Sequence, residues 1–372
     1  MSEPGLFDEV LARGGVREAV GDRAWLAAML SAETALARAQ ARIGLIEPEA
    51  AAAVADACRV DRFDLAELAR RAGRHASPVV PLVRMLREVA GPAVHKGATS
   101  QDILDTAAML VSRSALDVLL ADLSGASDAA ARMARTYRNV PMAGRTLLQP
   151  AAPVTFGLKA ARWLSALDAA AERLTAVRGR LAVQLGGPAG TLAGFEGRAF
   201  DLVEAFAGQL GLAVPVLPWH TDRTRIADLA GALGTAAGTA GKIARDVTLL
   251  SQAEVGEVAE GAPGGSSAMP HKRNPVAAVS TLASASQAPG LVATLLAAMA
   301  GEHERAAGAW QAEWRPLRDL LVATGSAMSW LRACLTGLRV DAGAMAANLS
   351  KFLSDVDTGC SGELVDRVLE VR

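Results

Sequence analysis

The chain has 372 residues and a formal net charge of −1, with 51% hydrophobic but only 4% aromatic residues. So even a charge balance supplies no global field to recruit nucleic acid, and any anionic ligand must be held by local charge. The apolar content is mostly Ala, Leu and Val. With Ala and Leu the strongest helix formers and few β-branched or aromatic runs, the composition predicts an all-α protein.

Asp22 reads as the cap of a first helix, in which Leu26, Met29 or Leu30, Leu36 and Ile43 recur at helical spacing and Gly44 is the stop. A second helix follows Glu47-Pro48, then Gly73, Pro78 and Pro81 interrupt, and a short helical piece runs to Gly91-Pro92. Residues 1–90 are therefore expected to form a small N-terminal helical domain. From Ser100 the segments lengthen: about Gln101 to Tyr137, Ala152 to Leu185, Arg225 to Val258 and Val276 to Met299. At about 1.5 Å per residue these are rods of roughly 40 to 50 Å, the dimensions of a long-helix bundle. The bundle is expected over residues 91–348, leaving 349–372 as a tail with a break at Asp357-Thr358-Gly359 and a short last helix. The third rod carries Gly231, Gly234, Gly238 and Gly241, each worth up to about 1 kcal/mol less than Ala. Close backbone approach, as at a subunit interface, is the expected compensation. The connection from Gly186 to Thr224 is rich in Gly and Pro, with a helix from about Ala199 to Gly211.

Cys58, Cys334 and Cys360 have no metal-ligand spacing and predict free thiols in a reducing compartment. Met1 to Gly5 lacks the basic and apolar parts of a signal peptide, and no apolar run is expected to reach the roughly 20 residues that span a bilayer. The expectation is a soluble cytoplasmic protein without membrane or nucleic-acid partners.

Four stretches carry side chains for chemistry. Gly264 to Pro275 holds two glycines, Ser266 and Ser267, then Met269, His271, Lys272, Arg273 and Asn274 between two prolines, the makings of an anion-handling loop. His95 to Asp102 stands at the start of the first rod. Thr99 and Asp102 have the spacing of a capping box, and the same amides and hydroxyls could hold a carboxylate. Gly144 to Pro150 contributes Arg145, Thr146 and Gln149, for which a surface ion pair and a cap are the plain readings. Gly301 to Arg305, followed by Trp310, Glu313 and Trp314, reads as a solvated face and core tryptophans unless Arg305 faces a ligand. No metal-ligand spacing or phosphate-binding glycine motif is present, so neither metal nor organic cofactor is expected. Together the stretches suit a small polycarboxylate whose carbon acid gains or loses a proton.

The run Gly264 to Pro275 resembles the signature loop of the fumarase/aspartase superfamily, and the stretches around Thr99 to Asp102 and Gly144 to Thr146 resemble its other two motif regions, in order. Within the superfamily the likeness is nearest to the bacterial 3-carboxy-cis,cis-muconate cycloisomerases, through His95 to Thr106, Pro218 to Thr221, Glu254 to Glu257 and Glu302 to Trp314. The resemblance implies a homotetramer whose central bundle builds four sites, each from three subunits. It implies Ser266 as the proton-transfer residue on carbon, with Lys272, His271 and loop amides stabilising its alkoxide. Tricarboxylate binding falls to Thr99, Ser100, Arg145, Thr146, Gln149, His271, Lys272, Asn274 and Arg305, with His95 orienting a carboxylate or donating a proton. Fumarate-releasing members usually carry a His after the Arg-Thr and a Glu five residues beyond the loop Asn; here these places hold Leu147 and Val279. That favours lactonisation, which expels no leaving group, over an elimination lyase of the adenylosuccinate or argininosuccinate type. A non-catalytic helical assembly protein is the alternative of another class, kept open because members usually add a fuller third helical domain after the bundle.

Overall fold

In the computed structural model, which describes residues 5–195, 197–353 and 356–372, the chain climbs and descends a bundle of long helices. Met1 to Pro4, most of the stretch read for a signal, lie outside the described residues, as does Glu196 in the long connection. Six short to medium helices come first: α1 (Asp8–Leu11), α2 (Val16–Ala19), α3 (Asp22–Arg42), α4 (Pro48–Ala57), α5 (Leu65–Ala72) and α6 (Val79–Ala90). Next are α7 (Ser100–Thr136), a hairpin of β1 (Pro141–Thr146) and β2 (Gln149–Thr155), α8 (Phe156–Gly179), α9 (Ala199–Leu210) and α10 (Thr224–Leu250). The chain continues through β3 (Val258–Ala259), α11 (Val276–Ala285), α12 (Ala288–Ala297), α13 (Ala309–Thr336), β4 (Arg339–Val340), α14 (Ala342–Ser350) and α15 (Ser361–Glu370). The all-α expectation holds, with two small antiparallel pairs, β1 with β2 and β3 with β4.

α7 is the axis. Thr99 and Asp102 form the expected capping box at its start, where the Asp102 carboxylate accepts the Thr99 N–H at 2.9 Å. Its 37 residues make a rod of about 55 Å. Ile103, Met109, Leu116, Leu119 and Leu123 bury its inner face, and it packs on α3, α8 and α13. α10 fills the other side of the bundle against α8, α11, α12 and α13.

Three rods differ from their sequence outlines. The second does not begin at Ala152, because Pro150 and Pro153 lack N–H donors and bias their predecessors towards extended backbone, so β2 runs to Thr155 and α8 starts at Phe156. The third ends at Leu250, where the chain turns through Ser251 to Gly256, with Gly256 at φ 60°. The fourth is two helices, since Pro289 favours a first-turn position and opens α12 after a break at Ser286-Gln287.

The expected length limit on apolar runs also needs correction. Val276–Ala297, α11 and α12 together, is by length and composition apolar enough to cross a bilayer. Here that stretch packs along α10 and α13. Two of the four α10 glycines explain how. A Cβ on Gly234 would stand 2.9 Å from Val292 Cγ2, and one on Gly241 3.2 Å from Ala285 Cβ, so both admit close neighbours within the chain. Gly231 and Gly238 are exposed with no neighbour within 4 Å. The three cysteines are free, and burial pushes the Cys58 thiol up to about 11.

Candidate active site

The residues expected to form a site fall into two groups at opposite ends of the bundle. His95, Thr99, Ser100 and Arg305 gather at the start of α7. Arg145, Thr146 and Gln149 lie on the hairpin that follows α7's far end, about 55 Å away along the rod. The loop holding Ser266, His271, Lys272 and Asn274 belongs with the hairpin end. Glu257 bonds Arg145, and three residues later the Glu260 carboxylate accepts the amides of Ala277 and Ala278, fixing the start of α11.

At the first end Arg305 Nη1 donates to Thr99 Oγ1 at 3.0 Å. Half-burial lowers the Arg305 pKa, and the nearby Asp102 and Asp105 carboxylates counter that. The plain reading of Thr99 to Asp102 as a helix start is right, and the Asp102 carboxylate does more. It accepts the amides of Gly186 and Gly187, both at 2.9 Å, and pairs with His220 Nε2 at 2.7 Å. The helix N-terminus is thus already served by a carboxylate from its own first turn. Ser100 is partly exposed beside it. Beneath lies a buried charge cluster. Arg223 donates to Asp105 at 2.8 and 3.1 Å and to Glu313 at 3.0, 3.2 and 2.6 Å, and Trp310 Nε1 donates to Asp105 at 2.9 Å. Burial alone would lower the Arg223 pKa, but the two carboxylates outweigh it and raise it. Trp310 and Trp314 meet edge to face at 4.9 Å, Trp310 in the core and Trp314 partly buried against it.

At the other end Arg145 makes the ion pair that plain reading favoured, reaching from the surface to a buried carboxylate. Its Nη1 and Nη2 donate to Glu257 at 2.9 and 2.6 Å, and Glu257, fully buried, also accepts from Asn348 Nδ2 at 3.0 Å. Gln149 is not a helix cap. It faces Thr146 across the exposed tip of the hairpin. The two residues between them, Leu147 and Leu148, take left-handed φ values of 50° and 65° and are 96% and 75% exposed.

In the loop the Gly264 and Asn274 backbones form a bridge, and Asn274 Nδ2 donates to Gly265 O at 2.9 Å, closing the loop at its neck. Ser266 Oγ accepts from the amides of Ala268 at 3.4 Å and Met269 at 3.2 Å. Of the groups expected to stabilise a Ser266 alkoxide, the loop amides are therefore the ones on the oxygen. His271 and Lys272 are exposed at the loop's edge. No group of three His, Cys, Asp or Glu side chains that could hold a metal ion occurs among the described residues.

The family model for lyases matches residues 12–290. The chain belongs to the fumarase/aspartase superfamily of lyases. As a member of that superfamily it is 50% identical over 365 residues to the nitrosuccinate lyase of Streptomyces davaonensis, a match covering 93% of this chain and 77% of that protein. It is 46% identical over 355 residues to the 3-carboxy-cis,cis-muconate cycloisomerase of Bradyrhizobium diazoefficiens, covering 92% and 79%. The crystal structure of 3-carboxy-cis,cis-muconate lactonizing enzyme from Pseudomonas putida superposes with a TM-score of 0.88 at 39% identity, covering 99% of this chain and 88% of that chain.

Sequence reasoning gave no role to Glu33, Asp105, Glu257 and Asn348, because each acts through a partner distant in the chain. Asp105, His220 and Glu257 did fall in stretches that carried the resemblance.

Proposed function

We propose that the chain is a cycloisomerase, an intramolecular lyase that converts 3-carboxy-cis,cis-muconate to 4-carboxymuconolactone in aromatic catabolism. The observation that carries this is the pair Leu147 and Val279. Both are exposed and apolar where an amine-expelling lyase needs an acid and its partner. General acid catalysis is worth about 10²- to 10⁴-fold, so eliminations that must protonate a poor leaving group are disfavoured. Cyclisation has no leaving group. A substrate carboxylate oxygen forms a C–O bond to an alkene carbon of the same molecule, and the π electrons move onto the neighbouring carbon. There they take the Ser266 hydroxyl proton, leaving an alkoxide that two amides stabilise. Cycloisomerases of that name at 41 to 46% identity support the reading.

A second reading, elimination of a stable anion from a substituted succinate, is favoured by the 50% identity to a nitrosuccinate lyase. Nitrite departs without needing a proton, so Leu147 and Val279 permit this too, with Ser266 then acting as the base. Parallel assays separate the readings. Loss of diene absorbance with 3-carboxy-cis,cis-muconate is expected. Absence of that turnover together with nitrite release from nitrosuccinate, or with cleavage of adenylosuccinate or argininosuccinate, overturns the first reading. Ser266→Ala is expected to lose activity by about 10²-fold or more while keeping its oligomeric size. Unchanged activity removes Ser266 from the mechanism, and no activity in either protein on any of the four substrates favours a non-catalytic assembly role.

The same proposal includes a homotetramer with sites shared between subunits. Two facts support it: the two groups of site residues stand about 55 Å apart along α7, and the chain exposes 17394 Å², against roughly 14,000 Å² for a folded monomer of its mass. The free cysteines support a cytoplasmic location.

A further inference from the structure

His95 sits on the turn before α7 with its backbone held at φ 59°, followed by Gly97 at φ 75°. A Cβ on Gly97 would stand 2.4 Å from Phe195 Cε1, so this turn is fixed from outside as well as within. α3 fixes it further. Gln40 Nε2 donates to Lys96 O at 2.7 Å, and Lys96 Nζ donates to Leu45 O at 2.8 Å just beyond that helix. Seven residues before Gln40, two turns back on α3, is Glu33. Its side chain is fully buried, and its Oε1 lies 2.6 Å from His95 Nδ1. Glu33 Oε2 has no hydrogen-bond partner among the described residues.

A buried carboxylate with one oxygen unpaired is costly to keep for packing alone, since an apolar side chain would fill the same space without the desolvation penalty. What it does supply is direction. A carboxylate accepts and cannot donate, so in the neutral ring the nitrogen facing it carries the proton and the other nitrogen keeps its lone pair. The His95 side chain is 11% exposed, and its Nε2 takes no hydrogen bond among the described residues. That nitrogen is available at the end of the bundle where Thr99, Ser100 and Arg305 gather.

We propose that Glu33 is a positioning residue for this site: through Nδ1 it locks the His95 ring and its tautomer, so that Nε2 faces bound substrate ready to accept or relay a proton. The N-terminal helical layer then contributes directly to the chemistry, through a residue 62 positions before its partner. The proposal rests on the catalytic reading above for its kinetic part and not for its structural part.

The test uses the full-length protein labelled with ¹⁵N-histidine, with His95→Gln assigning the resonance. In the wild type the His95 proton is expected on Nδ1. Glu33→Gln preserves length and volume, but an amide donates as well as accepts, so the tautomer is released and the Nε2–H form is expected to appear. In the substrate assay kcat is expected to fall about 10- to 100-fold, by analogy with the outer partners of metal-bound imidazoles, with KM within about twofold. Glu33→Asp, which restores a carboxylate, is expected to restore the Nδ1–H form and part of kcat. A wild-type ring protonated on Nε2 overturns the proposal. So does a Glu33→Gln variant that melts at a lower temperature but keeps the wild-type tautomer and kcat, for that is the behaviour of a packing residue. The tautomer is read without substrate, so failure of the assigned reaction leaves this result standing, and failure of the tautomer test sinks the proposal whatever the substrate is.

Discussion

Asp105 shows how much of the site's stability rests on single side chains. It accepts two bonds from Arg223, one from Trp310 and one from Gln101, and all four residues are buried. Surface ion pairs are worth at most about 1 kcal/mol, whereas a buried donor left without its acceptor costs about 1–3 kcal/mol; loss of Asp105 does this to Trp310 Nε1, while Glu313 still balances the Arg223 charge. Asp105→Ala is therefore expected to lower the unfolding free energy by about that amount in urea titration. A loss below about 1 kcal/mol would mean that water reaches Arg223 and that the cluster is less closed than its geometry. None of this was legible from Asp105 itself, which looks like any acidic residue one turn into a helix. The motif residues were legible because their types are unusual together, as in Ser266 with Lys272 and Asn274. Their partners Glu33, Asp105 and Glu257 were not, because an isolated carboxylate in sequence carries no sign of being buried. Arg145 was seen as half of an ion pair, but its partner is 112 residues away and only the fold supplies it.

Among the elements, α7 was readable because its signals are local: a capping box at Thr99 and helical spacing of apolar residues over ten turns. The hairpin from Pro141 to Thr155 was not, since its strands lack polar and apolar alternation and its turn is Leu147-Leu148 where Asn-Gly would be usual. Two leucines held at left-handed φ and exposed to water contradict local preference. Such conflict between local rule and observed structure concentrates at functional positions. α15 shows the converse, a short element whose place depends on a distant contact. Arg138 Nε donates to Asp366 Oδ1 at 2.7 Å, and its Nη2 also meets Asp366. The Asp366 carboxyl is held below its usual value, chiefly by these hydrogen bonds from Arg138. A carboxyl lowered in the folded state contributes stability above the ordinary aspartate pKa and loses it as pH falls through the lowered value. Hydrogen exchange of the α15 amides is thus expected to be slower in wild type than in Asp366→Asn near neutral pH, with the difference closing in acid. Equal protection at neutral pH would show that packing on α8, α7 and β2 holds α15 without the Arg138 pair.

For the whole molecule the decisive fact is the length of α7. A rigid rod of about 55 Å cannot bring its own two ends together, so a site that needs both His95 or Arg305 and the Ser266 loop must draw them from different copies. In a closed symmetric assembly each copy then gives one end to one site and the other end to another. This makes two individually dead variants complementary. His95→Gln and Ser266→Ala should each form inactive homotetramers. When the two are unfolded together and refolded as a mixture, about one site in four should receive both intact ends from different copies, because each end has an even chance of coming from the intact chain. Recovery near a quarter of wild-type turnover, in the fraction that elutes as a tetramer, is the expected result. If the two dead ends always came from one chain, no mixture could regain activity, since every site would keep one defect. The measurement thus reads the sharing of sites directly, and it depends on no contact distance, only on which ends of the bundle meet.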